Sequence, residues 1–149
     1  MKAVVFAYHD IGTIGLEALK REEFTIEAIF SHPDDPNENC WFSSVTEWAK
    51  KNQVKIHYPE NVNQPKWIAE IKKIAPDIIF SFYYRHLIGV DILRVPSSGA
   101  YNLHGSLLPA YRGRCPVNWV LIKGETRTGV TLHHMVKEAD AGDIVGQKK

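Results

Sequence analysis

Three mostly apolar runs constrain the fold of this chain more than any other feature. They cover residues 3–7, 24–30 and 78–82 and are rich in Val, Ile and Phe. Such runs are typical of parallel strands that are buried on both faces. The first two flank a segment with helical spacing of apolar residues, residues 11–20, and a right-handed crossover makes the two strands a parallel pair.

Further segments continue this alternation of strands and helices. Helices are predicted over residues 44–51, 65–74 and 116–122, and strands over 55–57, 100–103, 129–134 and from 144 onwards. Ser44 and Glu47 have capping-box spacing, and Pro65 suits the first position of a helix. The pattern predicts an α/β fold, a Rossmann-like doubly wound and mostly parallel sheet. Because the last strand starts so late, we expect one incomplete domain that continues past Lys149.

Composition excludes several classes of protein. Hydrophobic residues make up 44% and charged residues 23%, which predicts a globular core. The net charge of +1 lacks the basic surplus of a typical nucleic-acid binder. Cys40 and Cys115 fit neither a disulfide framework nor a metal site, and no run is long enough to cross a membrane. We therefore expect a cytoplasmic protein without nucleic-acid or membrane partners.

Several common sites do not fit the motifs. The predicted loop 8–15 has Gly12 and Gly15 but lacks the third glycine of a dinucleotide site, and the chain has no P-loop sequence. Ser106 is not in the GxSxG elbow of a hydrolase. A metal site of His9, His133 and His134 is conceivable, but neighbours on a strand face opposite sides, so we expect no metal.

The richest loop follows the strand at residues 100–103. Asn102 and His104 are two apart, so both side chains point to one side of the strand. An amide donor beside an imidazole suits a developing oxyanion and a proton transfer. A helix cap and a hydrogen-bonded loop histidine remain an alternative. Asp140, in a second polar loop, is either a turn residue or a third member of the site.

These residues carry a resemblance to a known family. Asn102-Leu103-His104 and residues 106–113, followed by Asp140-Ala141-Gly142, resemble the signature of the formyltetrahydrofolate-dependent formyltransferases. That family includes glycinamide ribonucleotide, methionyl-tRNA and sugar N-formyltransferases. The resemblance implies that residues 1–149 are the catalytic domain, and that Asn102, His104 and Asp140 are its catalytic residues.

Within the family, the sequence is most similar to the branch that formylates UDP-4-amino-4-deoxy-L-arabinose. Residues 6–10, 80–88 and 102–106 carry this similarity, and the acidic bias of the loop at residues 32–38 would repel tRNA. The branch implies a nucleotide-sugar substrate and a role in lipid A modification and polymyxin resistance. It also implies possible fusion to a decarboxylase domain and oligomerisation. Another sugar N-formyltransferase, a methionyl-tRNA formyltransferase and a non-catalytic ligand-binding module remain alternatives.

The resemblance also implies a co-substrate, 10-formyltetrahydrofolate, and residues that contact it. The backbone of two segments would cradle the pterin, with Arg114 helping to hold the ligand. The two segments are His86, Leu87 and Ile88, and Val136, Lys137, Glu138, Ala139 and Asp140. Tyr8, His9 and Arg112 are the candidates for contacts with the sugar substrate, although a solvated loop charge is an alternative for both arginines.

In the implied mechanism, an amine attacks the formyl carbon. Asn102 donates a hydrogen bond to the oxyanion, His104 shares that role and supplies a proton to the folate nitrogen, and Asp140 stabilises the imidazolium.

Overall fold

A single seven-stranded sheet organises the computed structural model, which describes residues 1–34 and 42–149. The strand order is β3-β2-β1-β4-β5-β6-β7. The strands are β1 Lys2–Ala7, β2 Thr25–Phe30, β3 Ile56–His57, β4 Ile78–Phe82, β5 Ala100–His104, β6 Val130–His134 and β7 Ile144–Lys148. Strands β1 to β5 pair in parallel, whereas β6 is antiparallel to both β5 and β7. The predicted mostly parallel sheet is confirmed.

Helices cover both faces of the parallel part of the sheet. They are α1 His9–Arg21, α2 Val45–Asn52, α3 Pro65–Ile74 and α4 Val90–Leu93, and a fifth helix, α5 Pro116–Ile122, is mostly exposed. Leu16 of α1 and Trp48 of α2 belong to the core cluster on one face, which we call the α1–α2 core. Ile71 of α3 and Ile92 of α4 belong to the core on the other face, the α3–α4 core. The doubly wound architecture follows from this two-sided burial.

The predicted loop at residues 8–15 is wrong, because helix α1 already begins at His9. Tyr8 is extended and its carbonyl accepts a hydrogen bond from the backbone N–H of Gly12. A Cβ on Gly15 would lie 2.5 Å from the ring of Phe82, and one on Gly12 would lie 2.9 Å from Val45. Both glycines therefore permit close packing of α1 onto the sheet and do not form a ligand loop.

The capping box of α2 is only half formed. The hydroxyl oxygen of Ser44 accepts a hydrogen bond from the backbone N–H of Glu47, as predicted. The Glu47 carboxylate instead pairs with Lys50 at 2.8 Å. One turn of spacing brings Glu47 within reach of a cation on the exposed helix face, so the ion pair replaces the return bond to the cap.

Several predictions meet the described residues only in part. Asp35, Glu38 and Cys40 lie outside the described ranges, so most of the acidic loop is not described. Cys115 is a free, exposed thiol. Strand β7, which the sequence predicts from residue 144 onwards, covers Ile144–Lys148. In the described residues, no helix combines the length and the hydropathy that crossing a membrane requires.

The register between β5 and β6 decides which side chains meet beyond the core. Asn102 lies opposite His133 and His104 lies opposite Thr131. Residues directly opposite each other in an antiparallel pair point to the same face. Ala100, two residues before Asn102, packs in the α3–α4 core, so this face of β5 continues from that core towards the end of the strand.

Candidate active site

Asn102 and His104 share one side of β5, as the spacing predicts. Asn102 is half-buried and His104 is buried at the carboxyl end of the strand. Nε2 of His104 lies 2.9 Å from the backbone carbonyl of Tyr111, in the loop that follows β5. A carbonyl can only accept, so Nε2 carries a hydrogen and the Nδ1 edge of the ring faces the other way.

A buried threonine fixes the loop after β5. The hydroxyl of Thr131, which is 0% exposed, donates to the carbonyl of Ser106 at 2.7 Å and accepts from the backbone N–H of Leu108 at 3.0 Å. The amide of Gln147 adds a hydrogen bond to the same hydroxyl oxygen at 2.9 Å. Strands β6 and β7 therefore hold the loop that closes over His104.

The structure brings Asp140 to the same place. Its Oδ1 lies 3.5 Å from Nδ1 of His104, 3.4 Å from Nε2 of His133 and 3.4 Å from Nδ2 of Asn102. Its Oδ2 accepts a hydrogen bond of 2.9 Å from the backbone N–H of Gly113. Asp140 has a φ of 52°, which non-glycine residues seldom adopt, and such backbone is typical of functional sites. Asp140 is therefore a third member of the cluster.

The surroundings keep Asp140 ionised. Burial by itself raises the pKa of the carboxyl, but several neighbours stabilise the charged form. These are the backbone hydrogen bond from Gly113, the electrostatic influence of His104 and, when the ring of His133 is protonated, its hydrogen bond and charge. Together they outweigh burial and hold the pKa of Asp140 below its usual value.

The ionised carboxylate fixes the orientation of the Asn102 amide. With Nδ2 towards Oδ1 of Asp140, the amide is a donor to an anion. The flipped amide would place its own oxygen 3.4 Å from that carboxylate oxygen, and two acceptors repel each other. The same Nδ2 lies 3.1 Å from Nε2 of His133. Both hydrogens of the amide therefore have acceptors, and the one towards Asp140 is the more weakly held because its distance is longer.

His133 is the residue of this cluster that sequence reasoning missed. It is 1% exposed, and its ring joins Asn102, Asp140 and the carbonyl of His134. In the sequence, His133 was a candidate only for a metal ligand. The alternation of β6 does place His133 and His134 on opposite faces, because His134 packs on Tyr101. An antiparallel pairing of β5 with β6 was the signal that would have identified its role.

The two segments expected at the pterin border the same core. Ile88 of the first segment and Met135, the residue just before the second, both pack against the α3–α4 core. The carbonyl of Leu87 accepts from the side chain of Asn63 at 3.0 Å, whereas the Leu87 side chain is 74% exposed. Residues 136–139 are exposed, and their contact with folate stays a prediction.

The other predicted contact residues lie around this centre at different depths. Arg112 and Arg114 are exposed on the loop after β5. Tyr8 is 2% exposed beneath the guanidinium of Arg85, which lies 4.5 Å from the ring centroid. The half-buried His9 packs on the ring of Tyr83 at 5.2 Å. Strand β1 is two strands from β5, roughly 10 Å at the usual spacing, so Tyr8 and His9 lie apart from the cluster of Asn102, His104 and Asp140.

His32 packs against the segment that follows β4. The ring of His32 stacks on Tyr84 and its Nε2 accepts a hydrogen bond from the backbone N–H of Arg85. The exposed His86 also contacts the ring of His32, at 4.7 Å. In the described part of the chain, no group of three or more potential ligands is placed to hold a metal ion.

A family model decides what kind of protein carries this cluster. The model described as "Formyl transferase" matches residues 1–149, the whole chain. The chain belongs to the formyl transferase family. It is therefore an enzyme of formyl transfer, as the residues around Asn102, His104 and Asp140 predict. A similar protein has been solved with 5-N-formyl-THF, in keeping with the predicted co-substrate class.

Solved structures similar to this formyltransferase support the fold. The phosphoribosylglycinamide formyltransferase of Bacillus halodurans is 19% identical with a TM-score of 0.81, over 99% of this chain and 78% of that one. Glycinamide ribonucleotide transformylase 1 of Geobacillus kaustophilus is 25% identical with a TM-score of 0.78, over 99% and 80%. A sugar 3N-formyltransferase solved with dTDP and 5-N-formyl-THF is 21% identical with a TM-score of 0.75, over 99% and 51%.

Proposed function

We propose that this formyltransferase transfers the formyl group of 10-formyltetrahydrofolate to the amine of a nucleotide-linked sugar. The proposed acceptor is the 4-amino group of UDP-4-amino-4-deoxy-L-arabinose, as in the formyltransferase domain of the bifunctional polymyxin-resistance protein. The observation that supports the activity is that side-chain nitrogens of Asn102 and His104 both lie within 3.5 Å of Oδ1 of Asp140. The proposal includes a cytoplasmic location, in keeping with the free thiol of Cys115.

The chemistry follows from which atoms are available. The acceptor amine attacks the formyl carbon, so that a C–N bond forms and the carbonyl oxygen becomes an oxyanion. The Asn102 amide turns its weakly held hydrogen from Asp140 to that oxyanion. Loss of one such donor costs about a hundred- to a thousandfold in rate.

Proton transfer completes the reaction. The attacking amine loses a proton and the folate nitrogen gains one as its bond to carbon breaks, which leaves a formamide and tetrahydrofolate. Nε2 of His104 is held by Tyr111, so the Nδ1 edge, which faces Asp140, exchanges the proton. The negative charge of Asp140 stabilises the imidazolium formed during this exchange. General acid–base catalysis of this kind contributes roughly a hundred- to ten-thousandfold.

Two features favour a nucleotide sugar over tRNA as the acceptor. The net charge is +1, without the basic surplus that polyphosphate binding favours. Beyond the catalytic cluster, three aromatic rings lie at the carboxyl ends of β1 and β4. The centroid of the His9 ring is 3.9 Å from that of Phe42 and 5.2 Å from that of Tyr83. Aromatic rings there suit stacking with a planar base. The cationic side chain of Arg112 suits a diphosphate.

The proposal is tested by supplying one formyl donor and several acceptors. The protein is incubated with 10-formyltetrahydrofolate and, separately, UDP-4-amino-4-deoxy-L-arabinose, phosphoribosylglycinamide, charged initiator tRNA or no acceptor. We expect tetrahydrofolate release with the UDP-sugar alone. Turnover with another acceptor would move the assignment to that acceptor. Release without any acceptor would indicate deformylation.

Paired variants separate catalysis from binding. Asn102→Ala should lower kcat about a hundred- to a thousandfold while a folate analogue still binds. Asn118→Ala, on the exposed face of α5, should keep normal turnover. If neither the wild type nor Asn118→Ala turns over any acceptor but both bind folate, the chain is a binding module.

A further inference from the structure

The hydrogen bonds around His133 allow only one consistent assignment of donors and acceptors. Its Nδ1 lies 2.8 Å from the carbonyl of His134, and a carbonyl only accepts, so Nδ1 carries a hydrogen. In the neutral ring, Nε2 is then an acceptor. It lies 3.1 Å from Nδ2 of Asn102, which is a donor because the same amide nitrogen also faces a carboxylate oxygen of Asp140.

A protonated His133 would break this consistency. An Nε2–H would donate to Asp140, 3.4 Å away, and would at the same time oppose the amide hydrogens of Asn102. The two uses of Nε2 exclude each other. The contact with Asn102 is the shorter, and it satisfies both partners, so the neutral Nδ1–H form of His133 matches the geometry.

We infer that His133 is a positioning residue that orients the amide of the proposed oxyanion donor Asn102. Nε2 of His133 binds one amide hydrogen, and the second is thereby directed towards Asp140, the side where the formyl carbon reacts. The backbone of β6 sets the ring in turn through the carbonyl of His134. His133 itself neither gives nor takes a proton. This inference depends on the role proposed for Asn102.

Burial and register make the arrangement rigid. His133 is 1% exposed and lies directly opposite Asn102 in the β5–β6 ladder, so backbone hydrogen bonds fix the separation of the two residues. A donor held by a sheet loses little entropy when the oxyanion forms. A misplaced donor costs about a hundredfold in rate even when substrate binding is unchanged.

The first experiment measures the tautomer of His133 directly in the wild-type chain. Long-range proton–nitrogen NMR correlations at pH 7.5 should show a protonated Nδ1 and an unprotonated Nε2. The same pattern should persist in Asn102→Ala, because His134 fixes it. An Nε2–H tautomer or an imidazolium at this pH would overturn the inference. Because this measurement uses no substitution of His133, it does not depend on whether such a variant folds.

The second experiment uses matched substitutions. His133→Leu should lower kcat about a hundredfold with a nearly unchanged KM for the folate. His133→Gln, whose side-chain oxygen can accept from Asn102, should recover most of the loss and keep the wild-type pH profile. Equal activity of the two variants, or a lost limb of the pH profile in His133→Gln, would contradict a positioning role.

A double-mutant cycle separates the inference from the proposed function. Because His133 acts through Asn102, adding His133→Leu to Asn102→Ala should reduce kcat no further. A further large loss would assign His133 an independent role. If Asn102→Ala itself keeps full activity, the proposed role of Asn102 fails first. If Asn102→Ala loses activity but His133→Leu does not, only the inference fails.

Discussion

The backbone N–H of Gly113 donates a 2.9 Å hydrogen bond to Oδ2 of Asp140, and this bond joins the loop after β5 to the loop after β6. Gly113 has a φ of 95°, which a residue with a side chain rarely adopts. The other carboxylate oxygen faces Asn102 and His104. One carboxylate therefore connects the two loops and the side chains that we propose as catalytic.

Asp140→Asn should change the acid stability of the protein. The folded-state pKa of Asp140 lies below its unfolded value of about 3.9. The carboxylate therefore stabilises the fold above that value, and this contribution is lost as pH falls through the folded pKa. The wild-type advantage over Asp140→Asn should be largest at pH 6 and shrink towards pH 3, as measured by urea unfolding. Asp143→Asn, exposed in the same loop, is the control. A pH-independent gap would contradict the linkage.

Gly142→Ala should displace the loop that carries Asp140. A Cβ at this position would lie 2.0 Å from the carbonyl oxygen of His134, so the backbone must move. We expect a loss of kcat of about a hundredfold, since a displacement of about 1 Å has this cost. Gly146→Ala is the matched control, because a Cβ there meets nothing within 4 Å. Equal kcat of the two variants would show that the loop tolerates the shift.

Thr131→Val should destabilise the fold by about 1–3 kcal/mol, because it leaves buried polar groups of the loop after β5 without a partner. The hydroxyl of Thr131 binds Ser106, Leu108 and Gln147. Thermal or urea unfolding measures the change. Thr46→Val removes a similar hydroxyl, the acceptor for Tyr58 in an exposed hydrogen bond, and should cost much less. If the two substitutions cost the same free energy of unfolding, Thr131 does not anchor the loop.

His32 should make the stability fall between neutral and mildly acidic pH. Burial, with the positive charges of His86 and Arg85, lowers the pKa of His32 to about 4, from 6.5 in the unfolded chain. Below pH 6.5 the unfolded chain binds a proton that the folded chain does not, so stability falls until about pH 4. His32→Gln should flatten this slope in urea unfolding. The same wild-type minus variant difference at pH 7.5 and pH 5 would argue against it.

The alternation of apolar runs already determined the fold class. Apolar runs such as residues 78–82 must be buried on both faces, and helices between parallel strands are the usual solution. The spacing of Asn102 and His104 likewise determined that both side chains share one side of β5. Both statements depend on local periodicity, which a sequence shows directly.

Predictions that depended on local signals alone were less accurate where packing competed with them. The glycines at residues 12 and 15 suggested a loop, but contacts with Val45 and Phe82 use them inside a helix. The Glu47 carboxylate pairs with Lys50 instead of completing the capping box. In both cases a contact with a residue outside the local motif determined the structure.

The spacing and the family resemblance together indicated Asn102, His104 and Asp140, but only the tertiary structure placed His133 among them. Asp140 is 38 residues from Asn102 and reaches it through a backbone conformation with positive φ. His133 reaches Asn102 because β6 pairs antiparallel to β5 in one register. A shift by one residue would turn His133 to the opposite face. Strand pairing is a long-range choice, which is why the sequence pattern could not fix it.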